Sequence, residues 1–71
     1  MKISDAFEFF DLKTPVFVHT NYGTVSKGII VGVDNDFDTE SGEDEIELDV
    51  GADGYTIAIE LPDIVKIEKA I

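Results

Sequence analysis

"PVFVHTNYGTVSKGIIVGVD", residues Pro15 to Asp34, is the stretch on which the fold turns. It is rich in β-branched residues and alternates, with Val16 and Val18 toward one face and Phe17 and His19 toward the other. "NYG" reads as a turn in which Gly23 is free to take positive φ. "TVSKGIIVGV" then reads as one long strand interrupted by Gly28 and Gly32, positions where a strand commonly bends or bulges.

The pattern continues downstream. "EIELDV" places Ile46, Leu48 and Val50 inward and Glu45, Glu47 and Asp49 outward. "GADG" carries the Asp53-Gly54 pair that favours a hairpin. "YTIAIEL" repeats the alternation, with Tyr55, Ile57, Ile59 and Leu61 inward. Pro62-Asp63 makes a corner and "IVKI" supplies a last strand. Upstream, Ser4 is placed to cap a helix over about 4–11, with Asp5 at its positive end. Ile3, Ala6, Phe7 and Phe10 form its apolar stripe, leaving Phe9 off it, and Thr14-Pro15 ends it. The expectation is a single mainly β domain over 1–71. A short N-terminal α-helix precedes five strongly bent strands, which close most economically into a small barrel because closure removes exposed edges.

Charge is placed unevenly. The net charge is −11, and Asp34 to Asp53 holds ten acids with no lysine. The rest of the chain carries six acids and five lysines, a net of −1. Such a segment disfavours phosphate backbones and anionic membranes as its partners, and suits cations or basic proteins. The absence of cysteine excludes disulfides and thiolate zinc sites and fits a cytoplasmic location. No run reaches the roughly 20 apolar residues that cross a bilayer.

The core of the acidic segment, "DNDFDTESGEDE", has the spacing of a calcium loop. Asp34, Asp36, Asp38 and Glu45 fall on ligand positions 1, 3, 5 and 12 of an EF-hand. Thr39 stands where that loop needs glycine, and the flanks read as strands, so an EF-hand is rejected. Two readings remain: a Ca²⁺ site of another type on those four acids, or a solvated strand connection over about 35–44. Phe37 either anchors this loop to the barrel or stands out as a partner contact.

The order of elements resembles the Sm-like family of SH3-type small barrels, from about Ile3 to Ile67. The likeness rests on Val16, Val18, Gly23, Gly28, Ile30, Gly32 and Asp34, which fall on the family's first motif, and on "IELPDIVKI", which is similar to its second. The resemblance implies the barrel. It also implies homo-oligomeric rings in which "YTIAIEL" of one copy pairs with "IVKI" of the next, against the mutual repulsion of the acidic loops. RNA binding is not carried over. The acidic stretch replaces the short RNA-contacting loop, and Leu61-Pro62 stands where the family has arginine-glycine.

An enzyme is not expected. His19 is the single histidine, no serine sits in a nucleophile motif, and carboxylates need a pocket to acquire catalytic pKa values. The sequence therefore points to a non-catalytic binding or assembly module. Its acidic loop with Phe37, or its Phe17/His19 face, would meet a basic or apolar protein partner. The alternative is a nucleic-acid-related role, by residual Sm-like binding if the fold gathers the lysines, or as an acidic mimic if it orders the acids on strands.

Overall fold

The computed structural model describes residues 1–51 and 53–70. Its elements follow the expected order: helix α1 (Ile3–Leu12), then strands β1 (Val16–Thr20), β2 (Val25–Asp34), β3 (Glu45–Asp49), β4 (Thr56–Glu60) and β5 (Ile64–Lys69). A 3-10 turn at Leu61–Asp63 separates β4 from β5, with Pro62 in its first residues. All strand pairs are antiparallel, in the order β4-β3-β2-β1-β5.

β2 organises the sheet because it serves two partners in succession. Val25 to Gly28 pair with β1, and Ile29 to Asp34 pair with β3. The change of partner falls at Gly28, and the register then slips between Ile30 and Gly32, leaving Val31 unpaired. A bulge of this kind increases local bend and twist. The two halves fold toward each other over Val16, Val18, Ile30, Ile46, Leu48, Ile59, Leu61, Ile64 and Ile67, all buried. The sheet is not closed: β4 and β5 both remain edges. Among the described residues the strand pairing does not show the closure expected from the sequence. After β4 the chain turns through Leu61–Asp63, where Leu61 N–H donates to the Asp44 carbonyl and Asn21 N–H to that of Asp63.

Local sequence accounts for the turns. At the β1–β2 turn Gly23 has φ +88°, and Thr20, buried, shares a 2.6 Å hydroxyl hydrogen bond with Thr24. Between β3 and β4, Asp53 and Gly54 both take positive φ, within a connection that Val50 N–H closes by donating to the Tyr55 carbonyl. Ala52 of that "GADG" turn lies outside the described residues. Tyr55, expected inward, precedes β4 and is 61% exposed.

The helix differs from expectation in two respects. It starts one residue early, so Ser4 lies in its first turn; Lys2 occupies the cap position, and no side chain caps the helix. The core-facing stripe is the buried Ala6 with the partly buried Ile3, Phe9 and Phe10, whereas Phe7 is 45% exposed. Spacings of three and four permit either set, and docking across β2 selects the one containing Phe9. Lys13, in the left-handed region at φ 54°, reverses the chain before Pro15.

Candidate functional site

The register of β2, β3 and β4 assembles a surface that no single segment reveals. Asp34 pairs with Glu45, and Glu45 pairs with Glu60, so three carboxylates stand in one row across three strands. In the next outward row Gly32, Glu47 and Ala58 are neighbours, and beyond it Asp49 faces Thr56. Ile46, Leu48, Ile57 and Ile59 take the opposite, core-directed face. The outward face of this half-sheet therefore presents Asp34, Glu45, Glu47, Asp49 and Glu60. Among the described residues the ion pairs are His19–Glu68 and Lys66–Glu68, so none of these five acids meets a cation. Like charges directly opposite on neighbouring strands repel.

The acidic connection rises from the end of this face. It is held by its own polar groups: Phe37 N–H donates to Asn35 Oδ1, Asp36 N–H to Asp44 Oδ1, and Thr39 Oγ1 to the Glu43 carbonyl. Ser41 Oγ donates to Glu45 Oε2 at 3.3 Å. Phe37 does not anchor the loop to the sheet, as one reading of the sequence would have it: it is 94% exposed. The Asx turn at Asn35 fixes the backbone without help from the Phe37 ring.

The four acids weighed as Ca²⁺ ligands divide between elements. Asp34 ends β2, Glu45 begins β3, and Asp36 and Asp38 lie in the connection. Among the described residues, no three His, Asp or Glu side chains converge as a metal-binding group.

Phe17 and His19 lie on the outward face of the other half, made by β5, β1 and the first part of β2. Phe17 stands between Lys27 and Glu68, and His19 between Val25 and Lys66. Lys27 Nζ is 5.9 Å from the Phe17 ring centroid, a cation–π contact. His19 Nε2 donates to Glu68 Oε1 at 2.6 Å, and Lys66 Nζ lies 3.7 Å from the same oxygen. The His19 hydrogen bond, followed by the Lys66 charge, holds the Glu68 carboxyl below its ordinary pKa. Lys2 and Lys13 sit at opposite ends of α1 and Lys69 at the end of β5, so only Lys27 and Lys66 share this face.

Two shallow clefts meet at Ile29. One, of about 320 Å³, lies between Phe10, Lys13, Ile29 and Val31; the other, of about 250 Å³, between Pro15, Lys27, Ile29 and Asp49. Neither brings together a nucleophile and a base. Comparison with protein-family models gives no match, and no curated protein matches the chain in sequence.

Proposed function

We propose that this chain is a non-catalytic protein-binding module whose partner is basic and meets the acidic half-sheet and its loop. The observation that carries the reading is the row Asp34–Glu45–Glu60, unpaired among the described residues, with Glu47 and Asp49 beside it and the exposed Phe37 ring in the connection that joins Asp34 to Glu45. An uncompensated anionic surface steers a cationic partner, and an exposed aromatic supplies the apolar anchor that charge alone lacks. The sheet order and the bend at Gly28 and Val31 support a finer reading of the fold as a wrapped small barrel of the Sm-like type. A second reading, favoured by the two open edges, is assembly of like copies edge to edge; the molecular mass in solution separates it from the first.

The test is retention of partners from the native cell on wild-type protein, Phe37→Ser, Glu47→Lys and Phe17→Ser. A partner lost with the first two substitutions and kept with Phe17→Ser supports the reading. Equal retention on all four, or loss with Phe17→Ser alone, overturns it.

A further inference from the structure

The two edges of the sheet differ in how they are guarded. Along β5 the register slips at His19/Thr20, leaving Val65 unpaired, and the strand carries Lys66 and Lys69. A bulge and lysines are two devices that blunt an edge against further pairing. β4 has neither. Its register against β3 runs unbroken from Glu45↔Glu60 to Asp49↔Thr56, it contains no lysine or proline, and its outward residues Thr56 and Ala58 are exposed and small. Among the described residues its one hydrogen-bonded neighbour is β3. The backbone donors and acceptors on its other side are paired with no strand among the described residues and so offer a template for one.

We propose that β4 is the docking edge for an extended, lysine- or arginine-bearing segment of a partner protein, added as a further strand of the sheet. The proposal rests on the reading of the acidic half-sheet as a binding surface and names how that surface is engaged. Charge selects the occupant. A strand beside β4 extends the row Asp34–Glu45–Glu60, placing a side chain about 5 Å from Glu60, and a second near Ala58 within reach of Glu47. Cations at those alternate positions meet carboxylates that have no other counter-charge. Aliphatic residues between them extend the inner face beside the half-buried Ile57. A second copy fits less well. Two β4 edges paired about Ala58 would set Glu60 opposite Thr56, which offers it no cation, the β5 edge is bulged and carries Glu68 among its lysines, and each copy brings a net charge of −11.

Calorimetry with two capped synthetic peptides tests this. One alternates lysine and valine; the other is the same peptide with the backbone amides of one edge N-methylated, which keeps charge and removes strand pairing. Wild type is expected to bind the first and to bind the second at least about tenfold more weakly, a gap of ~1.4 kcal/mol. Glu60→Lys is expected to weaken binding of the first by a similar factor while the protein stays folded by circular dichroism. Absence of binding, equal binding of the methylated peptide, or indifference to Glu60→Lys overturns the proposal. If the peptide fails while partner retention still depends on Phe37 and Glu47, strand addition alone falls. If retention is also indifferent to them, the underlying reading falls as well.

Discussion

Alanine in place of Gly28 will cost far more stability than alanine in place of Gly32, although both glycines lie in the same strand. A Cβ at position 28 would stand 2.3 Å from the Asp49 carbonyl oxygen and 3.0 Å from its carbonyl carbon. Ordinary C···O contacts between strands lie near 3.3–3.6 Å, so β2 and β3 must separate by about 1 Å where β2 changes partner. The obstacle is backbone in a paired strand and cannot rotate away. Overpacking of this kind costs about 1–3 kcal/mol, and a backbone obstacle places Gly28→Ala at the upper end, about 2–3 kcal/mol. At 4–8 °C per kcal/mol for a domain of this size, Tm falls by roughly 10–20 °C. At position 32 the nearest atom is Glu47 Oε2, at 2.5 Å, the free end of a side chain that can swing into solvent. Removing a strand glycine is worth roughly 0.5–1 kcal/mol, so Gly32→Ala leaves Tm unchanged or raises it by a few degrees. Thermal and urea unfolding followed by circular dichroism decide the matter. Equal effects at the two positions, or a neutral Gly28→Ala, would refute the close approach of β2 to Asp49.

Further outcomes follow from the charge distribution and the core. Glu60→Lys, which turns the Glu45–Glu60 repulsion into attraction, stabilises the fold by about 0.3–1 kcal/mol in urea unfolding, even as it weakens peptide binding. Ile46→Ala, at a fully buried position, costs about 2–5 kcal/mol, whereas Phe37→Ala changes stability by less than about 0.5 kcal/mol in the same assay. Because the folded Glu68 carboxyl is held below its unfolded pKa, its pairing with His19 and Lys66 adds stability above the ordinary carboxylate range. That contribution is lost as pH falls through the lower folded value, so Glu68→Gln should flatten this part of the acid limb of a Tm-versus-pH curve. Millimolar Ca²⁺ should give no specific heat in calorimetry, since the described acids do not converge on a common centre.

The parts of the fold set by local patterns were legible in the sequence. Alternation in "EIELD" and "TIAIE" gave the inner faces of β3 and β4, Asp53-Gly54 marked their hairpin, and Pro62 marked the corner. What depends on register was not legible. Gly28 and Gly32 looked equivalent, and only the pairing of β2 shows that one meets a carbonyl and the other a mobile side chain. The row Asp34–Glu45–Glu60 joins residues from three strands, whereas the sequence drew attention to the contiguous acids of the loop. Phe7 and Phe9 exchanged roles because each lies at a helical spacing from one member of the stripe, Phe7 four residues after Ile3 and Phe9 three after Ala6, and the docking of α1 chooses between them. Phe37 carried no local signal for exposure; an aromatic in a polar loop is compatible with either fate until the turn at Asn35 is known.

The binding mode proposed for the acidic half-sheet depends on a free edge along β4, and amide hydrogen exchange on the isolated protein addresses that edge residue by residue. Between Thr56 and Glu60, protected amides bonded to β3 are expected to alternate with amides exchanging within about tenfold of the unfolded rate, while β1 and β2 are slow throughout. Uniform protection along β4 would contradict it, because the edge would then already be covered.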